Sequence, residues 1–153
     1  MGEQLHLRAA SRDDLPAVAA LLAAEGLPGF DPAEGNTHFQ VLDDGRGIVA
    51  TAAIEGHGRA ALLRSVVVAP ERRGQGLARR LTEHMTALAG ARGHKALYLL
   101  TMDAADYFAG LGFEPMARDQ APEEIRETEQ YRRQCPDSAV LMCKSLAPSQ
   151  ALP

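Results

Sequence analysis

Residues 66–81, with the sequence VVVAPERRGQGLARRL, decide the fold of this 153-residue chain. The stretch begins as a continuous apolar run, which is typical of a strand buried on both faces of a sheet. After Pro70 the pattern changes, and apolar side chains recur at helical spacing from Leu77 to Leu88. The stretch therefore predicts a buried strand, then a short basic loop that contains Gly74 and Gly76, and then a helix.

The loop has the composition of an anion-binding site. The first turn of a helix presents N–H groups that have no intrahelical acceptor, at the positive end of the helix dipole. Gly74 and Gly76 carry no side chain that would keep a ligand away from the backbone. Because Arg72, Arg73 and Arg79 add positive charge, a pyrophosphate is the natural ligand.

Two other phosphate-binding loops fit poorly. A nucleotide P-loop needs a Lys directly after its last glycine, and no Lys follows Gly76. A dinucleotide-binding fingerprint needs a third glycine at the position of Arg79, and it normally opens the chain. An NAD-type oxidoreductase is therefore disfavoured. Taken alone, the loop could also be a turn with two glycines and solvated arginines.

Outward from this stretch, alternation, helical stripes and turn residues predict a mixed α/β or α+β chain. The order predicts one central sheet, partly antiparallel and partly parallel, flanked by helices. The predicted strands cover 5–10, 37–42, 47–55, 60–69, 96–101, 113–117 and 138–146, and the predicted helices cover 11–26, 77–90, 104–111 and a segment from Pro122.

Length and composition limit the function. The length fits a single domain, expected over 1–146, with 147–153 as a C-terminal tail. A net charge of −4 and the absence of Trp argue against a nucleic-acid or membrane-surface binder. The longest apolar run near the start is too short to cross a bilayer and has no basic flank, so a cytoplasmic protein with reduced thiols is expected.

No metal site is expected. The five histidines are scattered along the chain, and no pair has ligand spacing on one helix face. Cys135 and Cys143 could bind a soft metal or metalloid, although buried free thiols are commoner.

The motif formed by Arg73, Gly76 and Ala78, after a strand that ends Val-x-Pro, resembles the coenzyme A signature of the GNAT N-acetyltransferases. The Leu-Gly-Phe of residues 111–113 resembles a second motif of that family, and the element order agrees over 5–146. The resemblance implies a GNAT-like mixed sheet with a splayed strand pair that admits acetyl-CoA. It also implies transfer of an acetyl group to the amine of a small molecule.

A finer resemblance is to the acetyltransferases of arsenic-resistance gene clusters. It is carried by LYLLT at 97–101, the helix end at 108–113, IRET at 125–128 and CPDSAVLM at 135–142. It implies an amino-acid-like toxin or an arsenic-related compound as the acceptor.

The family resemblance also implies roles for individual residues. The loop and helix start would hold the pyrophosphate with backbone N–H groups, and Val68 would pair with the pantetheine arm. The N–H of Val66 would stabilise the developing oxyanion, which makes Val66 a catalytic residue. The residues implied to bind acetyl-CoA are Val66, Val67, Val68, Arg73, Gly74, Gln75, Gly76, Leu77, Ala78 and Phe108.

The sequence departs from the family pattern at the general acid. The family places a Tyr four residues before the Gly of Leu-Gly-Phe, where this chain has Phe108 preceded by Tyr107. A shift of one residue rotates a helical side chain by about 100°. Either Tyr107 is the catalytic acid, or water protonates the thiolate, or turnover is slow.

The general base is left open. Many family members have a Glu on the central strand, but residues 62–69 contain none. Ser65 and Thr101 could hold a water, or they could cap backbone. The carboxylates that could serve, each also readable as a solvated surface group, are Asp31, Glu34, Glu55 and Glu71.

Acceptor and partners are predicted only broadly. Residues 26–39 and 118–137 are expected to form the acceptor pocket walls, where Arg118, Arg126 and Arg132 could recognise a carboxylate. The family resemblance allows a homodimer, with the final strand as a pairing edge. The alternatives are a non-catalytic acyl-CoA-binding module and a protein acetylase that acts on lysine or the N-terminus.

Overall fold

A computed structural model describes residues 4–27, 35–128, 131–132 and 139–146. Its seven strands lie in one mixed sheet in the order β1-β2-β3-β4-β5-β7-β6, which confirms the predicted fold class. The strands are β1 His6–Ala9, β2 Thr37–Asp43, β3 Ile48–His57, β4 Ala60–Val68, β5 Ala96–Thr101, β6 Glu114–Met116 and β7 Val140–Ser145, and the helices are α1 Leu15–Ala24, α2 Leu77–Ala91, α3 Ala105–Ala109 and α4 Glu123–Arg126.

The chain divides into two compact units. The first contains Met1–Ile54 and Ser65–Met85, and the second contains Glu55–Arg64 and Thr86–Pro153. Strands β3 and β4 each contribute residues to both units.

In the first unit, β1 pairs antiparallel with β2, from His6 opposite Asp43 to Ala9 opposite Gln40. Val18 and Leu22 lie one helical turn apart and form the buried stripe of α1. This stripe packs against Val41 and Val67. The predicted helix start at Ser11 is instead a 3-10 turn over Arg12–Asp14, and α1 follows it. Pro16 lies in the first turn of α1, where its missing N–H removes no helical hydrogen bond.

In the second unit, β4 pairs parallel with β5 over Ala60–Leu62 and Ala96–Tyr98. Strand β7 is antiparallel to β5 and also to β6. The core forms where α4 and the segment before it cover this part of the sheet, and it contains Ala60, Leu62, Tyr98, Ala121, Ile125 and Leu141.

Most differences from the predicted elements are at their ends. The connection between the predicted strands 47–55 and 60–69 is shorter than expected, because β3 continues to His57. Helix α3 has five residues, since the Thr101 hydroxyl accepts the N–H of Ala104 before it and glycines follow it. Residues 147–153 lie outside the described part of the chain. In the described ranges, no helix is both long and apolar enough to span a bilayer.

Candidate functional site

The candidate site begins where β4 ends. Within β4, Val67 is buried, whereas Val66 and Val68 are half-buried. A 3-10 turn over Pro70–Arg72 follows, and Gly74 and Gly76 then adopt φ angles of 79° and 78°. Since only glycine adopts this region without strain, the two glycines are required by the path that the chain takes into α2.

The backbone of the glycine loop, defined here as residues 73–78, faces open space. A Cβ built on Gly74 or Gly76 would meet no protein atom within 4 Å. Gly74, Gln75 and Gly76 are exposed, while Leu77 anchors the loop in the core. The first turn of α2 adds N–H groups without intrahelical acceptors. The residues present therefore fit an anionic ligand held by backbone N–H groups.

Three basic side chains of this region already have carboxylate partners in the first unit. Arg73 lies 2.6 Å from Glu25, and Arg79 lies 3.2 Å from Glu83; both of these ion pairs are exposed. Arg72 lies 2.6 Å from Asp44 in a pair whose side chains are only 12% and 10% exposed. Each arginine that the sequence predicts to add positive charge to the loop therefore has a carboxylate partner, and its part in anion binding stays a prediction.

Ser65 distorts β4 directly before Val66. Its φ of 60° is the only positive value at a non-glycine residue in the described part of the chain. Left-handed backbone at a residue with a side chain costs about 1–3 kcal/mol and is concentrated at functional sites. Nothing in the sequence distinguishes this serine from its neighbours, so the distortion could not be predicted.

In the second unit, α3 carries both aromatic candidates. Tyr107 is 43% exposed. Phe108 is half-buried and packs edge-on against the buried Phe113, with ring centroids 5.9 Å apart. Lys144 closes this segment by donating a 2.8 Å hydrogen bond to the carbonyl of Leu111. The structure thus gives Phe108 a packing role, and its contact with a cofactor stays a prediction.

Glu55 is not the solvated carboxylate that the sequence suggested. Its side chain is buried, and one oxygen accepts a 2.8 Å hydrogen bond from Arg64. The other oxygen lies 2.6 Å from Nε2 of His57, which is half-buried. This group of side chains therefore joins the two arms of the β3–β4 hairpin. The pair was missed because its members lie on different strands.

Other predicted residues have structural contacts. Thr101 caps the turn before α3, as described above. Arg118 lies over the ring of Tyr131, 4.5 Å from its centroid, and donates to the carbonyl of Ala139. Arg126 and Arg132 are exposed. The candidates Asp31, Glu34 and Cys135 lie outside the described residues.

Cys143, the second cysteine that the sequence offers as a possible metal ligand, lies beside Tyr98. Burial raises the pKa of Tyr98 to about 12 and also raises the pKa of the Cys143 thiol. A thiol with a raised pKa is a weak nucleophile and a weak metal ligand at neutral pH. Within the described ranges, no group of three His, Cys, Asp or Glu side chains could hold a metal ion.

Known proteins resemble this chain over most of its length. A mouse (Mus musculus) protein, N-alpha-acetyltransferase 80, is 34% identical over 72% of this chain and 32% of its own length. An amino-acid acetyltransferase from Ralstonia nicotianae is 33% identical over 91% of this chain and 32% of its own length. The chain therefore spans about a third of the length of these curated relatives.

A solved structure shares the fold. N-acetylglutamate synthase from Neisseria gonorrhoeae, crystallised with coenzyme A and N-acetylglutamate, superimposes with a TM-score of 0.79 at 21% identity. The match covers 96% of this chain and 36% of the synthase chain. The family model for the acetyltransferase (GNAT) domain matches residues 35–115, which is just over half of the chain and includes the whole glycine loop. The chain therefore belongs to the GNAT family of acetyltransferases.

Proposed function

We propose that this protein is an acetyl-CoA-dependent N-acetyltransferase that acts on the amino group of an amino acid or an amino-acid-like small molecule. The observation that carries the proposal is the glycine loop. It combines two glycines at positive φ, open space in front of the backbone and the start of α2 within a GNAT domain. A pyrophosphate is the ligand class that such a loop binds best.

Each residue of the site then has a defined task. Acetyl-CoA supplies the thioester whose acetyl group is transferred. The backbone N–H groups of residues 73–78 hold its pyrophosphate, and Val66, Val67 and Val68 align its pantetheine arm. The N–H of Val66 donates to the carbonyl oxygen that gains negative charge as the amine attacks. Tyr107 is the proposed donor of a proton to the leaving thiolate, and Phe108 supports α3 beside it.

The acceptor class rests on the names of the relatives. One is an amino-acid acetyltransferase, and the solved synthase was crystallised with an acetylated amino acid. The resemblance to arsenic-resistance acetyltransferases adds amino-acid-like toxins and arsenic-related compounds as acceptors, and amino-acid-like arsenicals are the second group to test. The mouse relative adds α-amino groups of peptides. A cytoplasmic location, a single domain over 1–146 and a homodimer stay predictions.

The first test is ligand-dependent stability. Acetyl-CoA at 100 times its dissociation constant adds about 2.7 kcal/mol, which raises the thermal midpoint by about 5–10 °C for a chain of this size. NADH is the control nucleotide and is expected to cause no rise. No rise with saturating acetyl-CoA would contradict the proposed cofactor site.

The second test is release of coenzyme A from acetyl-CoA with four acceptor groups: amino acids, amino-acid-like arsenicals, peptides with a free N-terminus, and lysine peptides blocked at the N-terminus. We expect release with the first group or the second. Release only with peptides would favour a protein acetylase. A thermal rise without release from any acceptor would favour a non-catalytic acyl-CoA-binding module.

A further inference from the structure

The glycine loop is anchored from behind by an ion pair that lies outside the GNAT motif. Arg72 ends the 3-10 turn directly before the loop, and its Nη2 donates a 2.6 Å hydrogen bond to Oδ2 of Asp44. Asp44 lies in the turn between β2 and β3, 28 residues earlier in the chain. Because both side chains are nearly buried, solvent screens this pair much less than it screens an exposed one.

Asp44 is itself held in place by its turn. Its Oδ1 accepts hydrogen bonds from the backbone N–H groups of Arg46 and Gly47, and its own N–H donates to the carbonyl of Gly47. These bonds leave Oδ2 directed at Arg72. The turn is therefore a preformed acceptor for the guanidinium.

The backbone on both sides of Arg72 is fixed as well. The N–H of Ala69 donates a 2.8 Å hydrogen bond to the carbonyl of Val49 on β3, and the N–H of Arg72 donates to the carbonyl of Ala69. Beyond the loop, the N–H of Arg80 donates to the carbonyl of Gly76 as α2 begins. Residues 73–76 thus lie between two anchored points, and the N–H groups of residues 74–76 need a constant orientation to bind an anion.

We infer that Arg72 and Asp44 are positioning residues that hold the glycine loop in the geometry that binds the pyrophosphate of acetyl-CoA. The inference rests on the proposed function. Arg72 contributes no phosphate contact in this assignment, because its guanidinium is directed into the Asp44 pair. Its effect is on the affinity for the cofactor and not on the acyl-transfer step.

The test uses the full chain and two donors, acetyl-CoA and acetyl-pantetheine. Acetyl-pantetheine carries the same thioester and lacks the pyrophosphate and the nucleotide. We expect Asp44→Asn and Arg72→Gln each to raise KM for acetyl-CoA about tenfold, since small displacements of a binding group carry costs of this order or larger. We expect kcat to change less than about twofold, and KM for acetyl-pantetheine to stay at the wild-type value.

Two further variants separate positioning from a general loss of structure. Arg72→Lys keeps the positive charge and is expected to recover part of the affinity. Glu83→Gln removes the carboxylate of the exposed Arg79 pair and is the matched control, with KM for acetyl-CoA unchanged. All rates are measured below the thermal midpoint of each variant.

The outcomes are distinct. Equal losses with both donors, or an unchanged KM for acetyl-CoA, would overturn the inference while the proposed function stands. A lower kcat with an unchanged KM would also overturn it. A wild-type chain that neither binds acetyl-CoA nor transfers its acetyl group would overturn the proposed function, and the inference with it.

Discussion

Gly76 is the residue at which backbone conformation and ligand binding are most directly linked. At its φ of 78°, an alanine costs about 1 kcal/mol, yet the added methyl group would touch no protein atom. The methyl group would instead occupy the space that a ligand on the glycine loop needs. We therefore expect Gly76→Ala to raise KM for acetyl-CoA at least about tenfold, with a modest fall in thermal midpoint.

Gly93 is a matched control for this prediction. It follows α2 at a φ of 92°, and a Cβ there also meets nothing within 4 Å. Gly93→Ala carries a similar backbone strain and lies outside the glycine loop. It should lower the thermal midpoint by a similar amount and leave KM unchanged. If both variants raise KM for acetyl-CoA equally, backbone strain alone explains the loss of affinity, and the glycine loop has no special role in binding.

At the scale of the element, α3 carries Tyr107, the side chain that we propose as the proton donor to the leaving thiolate. The helix is short because Thr101 caps the turn before it and Lys144 holds the Leu111 carbonyl after it. Gly112 is favoured here, since residues with a side chain rarely adopt its φ of 97°. Helix α3 is thus held at both ends. In this position Tyr107 is exposed, and Phe108 packs against Phe113.

We expect Tyr107→Phe to lower kcat about tenfold, below the usual range for a general acid because a thiolate leaves readily. KM for acetyl-CoA should not change, because the hydroxyl does not hold the pyrophosphate. The measurement is steady-state kinetics with the best acceptor of the panel. An unchanged kcat would show that water protonates the thiolate.

At the scale of the whole molecule, part of the dependence of stability on acid comes from one group of side chains in the first unit. Arg8 on β1 donates to the carboxylates of Asp14 and Asp43, and this holds the pKa of each carboxyl below its usual range. Because the folded pKa lies below the unfolded value of about 3.9, the stabilisation is present above that pH and is lost as the pH falls through the folded pKa.

We expect Asp14→Asn to lower the thermal midpoint by a few degrees above pH about 5, which corresponds to about 1 kcal/mol for a partly exposed pair. The difference from wild type should shrink as the pH falls below about 4, because the carboxyl of Asp14 then binds a proton in the unfolded chain before it does so in the folded one. Glu83→Gln, at an exposed pair, should show little difference at any pH. A difference in thermal midpoint that stays constant down to pH 2 would contradict the stabilising role given to the Asp14 carboxylate.

The sequence predicted those parts of the molecule that depend on local patterns. Strand β5 and the start of α2 are correct to the residue, because apolar periodicity and flanking glycines are properties of neighbouring residues. The glycine loop follows from the same local pattern. A local pattern does not predict contacts between residues that are separated in the chain. The ion pairs of Asp44 with Arg72, and of Glu55 with Arg64 across the hairpin, are such contacts. The left-handed backbone at Ser65 depends on tertiary context in the same way.

A protein that binds a reactive thioester also exposes its own amines to acylation. The chain contains two lysines, Lys95 and Lys144, among its sixteen basic residues, and the rest are arginines. Acylation of a lysine needs an accessible side-chain amine, and Nζ of Lys144 is engaged with the carbonyl of Leu111 beside the ring of Phe113. Lys95 is exposed, so spontaneous acetylation of side chains should add a single acetyl group, at Lys95. Because most of its basic residues are arginines, this chain offers the proposed donor few side chains to acylate.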